Sequence, residues 1–274
     1  MKIKILIGVI LLVVLGYLFS VISYKSKPKI ALINVNGVIS DSTEIIREFR
    51  MAERDSSIKA IVLHVNSPGG AVGASQSIYR AIERIKNKKP VVVSMENVAA
   101  SGGYYISAPA NVIFANPGTI TGSIGVIIQH VDATKILDKI GLKVENIKSG
   151  ENKDILYPNH HLTPEQKKLI EKTILDVYDQ FLDAIVKYRP ITKEELKKIA
   201  DGRIFSGKEA LNLKLIDKLG NIQDAIDEAK KLAKVKKAVV IKLTKQKGFL
   251  EKLLDSKISL GDYISSGIYY MLSF

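Results

Sequence analysis

The chain has 274 residues, 46% of them hydrophobic, and a net charge of +13 carried mostly by lysine. Without cysteine it can have no disulfide, thiol nucleophile or zinc–thiolate site, and its four histidines form no HExxH pattern, so neither metal nor cofactor is expected. The lysines are scattered over amphipathic segments without interleaved aromatics, which points to a solvated surface first and anionic lipid heads second, not nucleic acid.

In chain order, Ile5 to Ile22 is an uncharged run of 18 residues, long enough for a transmembrane helix. The Ser20-Val21-Ile22-Ser23 exit lacks a small-x-small cleavage site, so an uncleaved anchor is expected. Flanking lysines (Lys2 and Lys4 before; Lys25, Lys27 and Lys29 after) leave its orientation undecided by charge. The expected organisation is an anchor and linker over 1–27, a catalytic domain over 28–245 and an amphipathic tail over 246–274. From Pro28, apolar runs of strand length alternate with stretches of helical periodicity. Strands are expected at 29–35, 58–65, 90–95, 112–115, 126–131, 143–147 and 238–243. Helices are expected at 43–55, 71–86, 134–140, 163–188 and 221–233, with capping boxes at Thr163/Gln166, Thr192/Glu195 and Ser206/Glu209. The alternation predicts an α/β fold of parallel βα units. The region after Lys153 is mainly helical, and the tail stripe from Leu253 to Leu272 suits core, oligomer or membrane-surface packing.

Three loops after strands could share one crevice: 66–70 (NSPGG), 97–107 (NVAASGGYYIS) and 119–125 (TITGSIG). Ser101 stands between Ala99-Ala100 and Gly102-Gly103, small neighbours that let a substrate backbone come close. Helix propensity over Tyr104 to Ile106 puts Ser101 at a helix start, as either a nucleophile or a plain N-cap. Gly69 and Gly70 open the helix that starts at Ala71, so the Gly70 and Ser101 N–H groups could form an oxyanion hole. A serine nucleophile needs a base. His64 and His130 sit at ends of apolar runs, where structural roles are expected, and His160-His161 reads as a polar turn. A lysine base would need its pKa lowered to about 7–8. Lys148 and Lys153, at a strand-to-loop transition, are the candidates.

The motifs NSPGG (66–70), VAASGGYY (98–105), TGSIGV (121–126), KSGENKD (148–154) and GRIFSG (202–207) stand in the order found in the signal peptide peptidase A (protease IV) family, and the chain resembles a short, single-repeat member from about Lys29 to Lys234. The resemblance implies a Clp protease/crotonase-like spiral of ββα units. It assigns Ser101 as nucleophile, Lys153 (not Lys148) as general base, and Ser123 as the residue orienting that base. Gly70, with Gly69 and Gly102 beside the site, belongs to the oxyanion and substrate-binding set. It further implies hydrophobic peptides or remnant signal peptides as substrates, an anchored catalytic domain on the extracytoplasmic side, and a homo-oligomeric ring whose active sites are shared between protomers. Family members commonly carry Gly-Asp or Gly-Asn where this chain has Glu96-Asn97, which places a carboxylate near the site. A protease for one membrane-protein partner, an acyl-CoA enzyme of the crotonase type and a non-catalytic scaffold are the alternatives.

Overall fold

A computed structural model describes residues 27–243 and the short strand Tyr269–Met271. The Ile5–Ile22 run and most of the tail lie outside the described residues; among those described, no helix is long and apolar enough to cross a membrane. The strands are β1 (Lys29–Asn36), β2 (Ile58–Ser67), β3 (Gly69–Ala71), β4 (Val91–Ala100), β5 (Val112–Ala115), β6 (Ile120–Gly122), β7 (Ile204–Ser206), β8 (Lys218–Leu219), β9 (Val239–Lys242) and β10 (Tyr269–Met271). The helices are α1 (Thr43–Arg54), α2 (Val72–Ile85), α3 (Gly102–Ser107), α4 (Thr134–Lys139), α5 (Pro164–Val186), α6 (Lys193–Lys197), α7 (Gly207–Asn212) and α8 (Ile222–Leu232).

The main sheet runs β7-β6-β4-β2-β1-β9, and β5 pairs with both β4 and β8. All its pairings are parallel except β6–β7, so the sheet is mixed. Its centre is buried on both faces because each strand alternates between two cores. Ala31, Ile33, Val35, Ile61, Leu63, Val65, Val93 and Met95 meet the side that holds Phe49, Ile78, Tyr104 and Phe181. Ile30, Leu32, Ala60, Val62 and Val92 meet Ala225, Ile226 and Ala229 of α8 on the other. The ten-residue β4 carries two partners in succession: β5 along Val92–Met95 and β6 along Val98–Ala100. This brings the turn after β6 beside the end of β4.

The expected capping boxes are present at Thr163/Gln166, Thr192/Glu195 and Ser206/Glu209. Two expected strands are not. Residues 126–131 and 143–147 form no strand beyond a single bridge residue at Ile127, because they find no continuous ladder among the described residues; Val131, Val144 and Ile147 are exposed. Nor do Gly69 and Gly70 open a helix. They form β3, which bridges to Ile39.

One buried ion pair ties the helical half to the sheet. Arg189, 4% exposed, makes two hydrogen bonds to Asp217, at 3.0 and 2.9 Å, and Asp217 also accepts the Ile113 N–H at 2.7 Å. Removing the carboxylate strands a buried guanidinium, so Asp217→Ala is expected to lower unfolding free energy by about 3 kcal/mol, measured by urea titration.

Candidate active site

β4 runs past Met95 to Ala100 and hands Ser101 to the start of α3. Ser101 has φ 52° and ψ −115°, a backbone conformation that strains any residue bearing a side chain, and it is only 1% exposed. Its hydroxyl does not cap α3, and the backbone carbonyl alone accepts from Tyr105 N–H at 2.8 Å. The strain is therefore not explained by capping. It is what a sharp strand-to-helix turn imposes when it aims a side chain out of the sheet.

The glycines around Ser101 are sterically required. A Cβ on Gly102 would lie 2.7 Å from Ser75 Oγ, and one on Gly103 would lie 2.7 Å from the Ser67 carbonyl oxygen. Ser75 is fully buried and its hydroxyl has no hydrogen-bond partner among the described residues. Nothing in the sequence marked it, since it is one small residue on an amphipathic helix.

Gly70 supplies the second wall. Ile39 N–H donates to the Gly69 carbonyl and Ala71 N–H donates to the Ile39 carbonyl, both at 2.8 Å. Because successive residues of a strand present their N–H and C=O groups to opposite sides, those of Gly70 face away from Ile39. There Gly70 N lies 3.1 Å from the position a Gly102 Cβ would take, so the Gly70 amide and the start of α3 adjoin.

The structure corrects the second donor of the expected oxyanion hole. Ser101 N–H is already engaged, donating to the Gly122 carbonyl at 2.8 Å. Gly102 N–H, in the first turn of α3, has no acceptor within the helix. Gly70 and Gly102, rather than Gly70 and Ser101, are the adjoining pair of amides. Gly69 contributes shape instead: its φ of 106° turns the chain into β3, with its N–H on Ser67 Oγ at 3.1 Å.

Ser123 follows Gly122 directly, is buried, and is held at φ 48° with its N–H on the Arg203 carbonyl at 2.8 Å. The Gly122 contact thus fixes Ser123 one residue from the Ser101 backbone. The two lysines separate clearly. Lys148 Nζ bonds Asp154 Oδ1 at 2.6 Å and the Glu151 carbonyl at 2.8 Å, and with Asn146 it holds the Asp154 carboxyl down to about 2. Lys153 is exposed in the neighbouring turn, and its Nζ makes no hydrogen bond or ion pair among the described residues. Within one chain it is not bonded to Ser101.

The histidines take no part. His64 Nε2 pairs with Glu96 Oε2 at 2.6 Å, which also engages the carboxylate that departs from the family pattern. His160 bonds the Asp154 carbonyl, His161 pairs with Asp132, and neither ring nitrogen of His130 has a partner among the described residues. No group of acidic or histidine side chains among the described residues is placed to hold a metal.

A buried, strained serine at a strand-to-helix turn, with two backbone amides beside it, defines a serine hydrolase of the α/β class. Residues 23–119 match the Clp protease family and residues 83–236 match Peptidase family S49. A provisionally named signal peptide peptidase SppA of Enterococcus faecium is 36% identical over 249 residues, covering 85% of this chain and 72% of its own. Protease 4 of Salmonella typhi is 39% identical, covering 76% of this chain and 35% of that longer protein. A chloroplastic serine protease SPPA of Arabidopsis thaliana is 34% identical over 77% of this chain. The chain belongs to peptidase family S49 and is a serine endopeptidase.

Proposed function

We propose that this chain is a membrane-anchored Ser–Lys endopeptidase that degrades released signal peptides and other hydrophobic peptides. The observation that carries the reading is the strained, buried Ser101 beside the adjoining amides of Gly70 and Gly102. Lys153 takes the hydroxyl proton as Ser101 Oγ attacks the scissile carbonyl. The two amides hold the tetrahedral oxyanion, where each such donor typically lowers the barrier by about 3–4 kcal/mol. Lys153 then protonates the leaving amine, and water releases the acyl group from Ser101. Ser123 keeps the lysine amine aligned. The anchor is the Ile5–Ile22 run, which puts the site near hydrophobic peptides and, as in the resembling family, on the extracytoplasmic side.

The base comes from a neighbouring copy in a ring. Two features support this. Lys153 Nζ has no partner among the described residues, and the segment that carries it exposes the apolar side chains Ile136, Ile140, Leu142 and Ile147, the last 100% exposed. Such a patch calls for a partner surface. Internal ties among Ala133, Pro158, Asn146 and Asp154 hold the segment in shape for docking.

Mixing tests nucleophile, base and ring together. Ser101→Ala and Lys153→Ala chains are each expected to be inactive on an apolar peptide. When equal amounts are dissociated and reassembled, a head-to-tail ring should regain about one quarter of full activity, since each site draws one residue from each of two copies. A mixture that stays inactive while forming the normal oligomer would rule out the shared site.

A further inference from the structure

Buried hydroxyls near the site are spent on carbonyls. Ser107, on α3, donates to the Gly103 carbonyl four residues back at 2.7 Å, and Thr121 donates to the Ala99 carbonyl at 2.6 Å. Ser75 sits on α2, where the same backward bond to a carbonyl is the usual choice. Its hydroxyl nevertheless bonds nothing among the described residues, and it is fully buried. A buried polar group without a partner costs free energy in the resting fold, so its place calls for a reason.

The reason lies in what surrounds it. Ser75 Oγ is 2.7 Å, and Gly70 N is 3.1 Å, from one and the same point, the position a Gly102 Cβ would take. The hydroxyl thus stands at the junction of the two amides beside Ser101. Burial does not set it apart from the site. Ser101 is itself 1% exposed, and β10, paired with β3 in the register Tyr270 to Gly70, runs beside both α2 and α3.

We propose that Ser75 is a third donor to the oxyanion. Its hydroxyl proton swings about the Cβ–Oγ bond toward the substrate carbonyl oxygen as that oxygen gains negative charge between Gly70 N–H and Gly102 N–H. The inference rests on the Ser101 site described above and adds a residue to it. Because the hydroxyl holds no bond in the resting enzyme, it breaks none in making this one. Its strength therefore falls on the tetrahedral state rather than on substrate binding.

Ser75→Ala in the full chain tests this, and two effects of opposite sign separate the reading from a packing role. On an internally quenched apolar peptide, kcat is expected to fall about a hundredfold with KM within about twofold. A peptide boronic acid, which gives Ser101 a tetrahedral adduct, is expected to bind more weakly by a similar factor. The urea midpoint stays level or rises, because an unpaired buried hydroxyl has gone. Ser75→Cys keeps the side chain and replaces its donor with a weak one, so it should show the same loss of kcat; it decides the inference if alanine lowers the midpoint. Full kcat in a folded Ser75 variant, with cleavage lost in Ser101→Ala, would overturn the inference and leave the site standing. Cleavage that survives in Ser101→Ala would overturn the site itself and the third donor with it.

Discussion

Ser101→Gly is expected to abolish peptide cleavage and, at the same time, to stabilise the fold. The catalytic half follows from chemistry: without Oγ no acyl intermediate forms, and losses of about ten-thousand-fold or more are usual when a serine nucleophile is removed. The stabilising half follows from the backbone. Ser101 is held at φ 52° and ψ −115°, and strain of this kind costs about 1–3 kcal/mol. Glycine relieves it and gives back about 0.5–1 kcal/mol through the greater freedom of the unfolded chain. The net gain is about 1 kcal/mol, and the hydroxyl contributes no helix cap that would be lost with it. Ser101→Ala would lose the activity but keep the strain. Urea titration of the three chains, alongside peptide cleavage and labelling by a serine-directed phosphonate, checks both halves. A Ser101→Gly chain less stable than the alanine variant would show that the conformation is not strained.

Gly70→Ala is the second large effect, and it acts on the site and the fold together. An alanine Cβ would lie 2.2 Å from the Ile39 carbonyl oxygen and 2.6 Å from its carbon, which are backbone atoms that cannot rotate away. β3 must move or the bridge to Ile39 must break. Either displaces the Gly70 amide, and losing one oxyanion donor alone costs about a hundred- to a thousandfold in kcat. The expected result is kcat lowered at least that far, together with a lower melting temperature. Gly118→Ala is the control, because no atom lies within 4 Å of the position its Cβ would take. Full activity in Gly70→Ala would remove Gly70 from the mechanism.

Much of the scaffold was legible because its signals are local. Apolar runs at 29–35 and 58–65 marked core strands. The three Ser/Thr capping boxes each marked a helix start with two side chains three residues apart. The small residues flanking Ser101 marked a close approach, and the ordered motifs led to the family. Other parts were misread for a common reason. Residues 126–131 and 143–147 have strand composition, yet a strand exists only where a partner offers a continuous ladder, and none among the described residues does. Gly69-Gly70 resembles a helix entry, but its conformation is set by Ile39 on one side and Tyr270 on the other.

By itself, then, the sequence determined the α/β alternation, the helix boundaries, the requirement for small residues at Gly102 and Gly103, and Ser101 as the residue to watch. Only the tertiary structure decided which amide Ser101 surrenders to Gly122, that Gly102 stands beside Gly70 in its stead, that Lys148 is tied to Asp154 while Lys153 is not, and that Tyr270 faces the Gly70 amide. Composition and periodicity report how a residue meets its near neighbours along the chain. A backbone hydrogen bond between residues 70 and 270 depends on which segments the folded sheet brings together, and no local pattern records that.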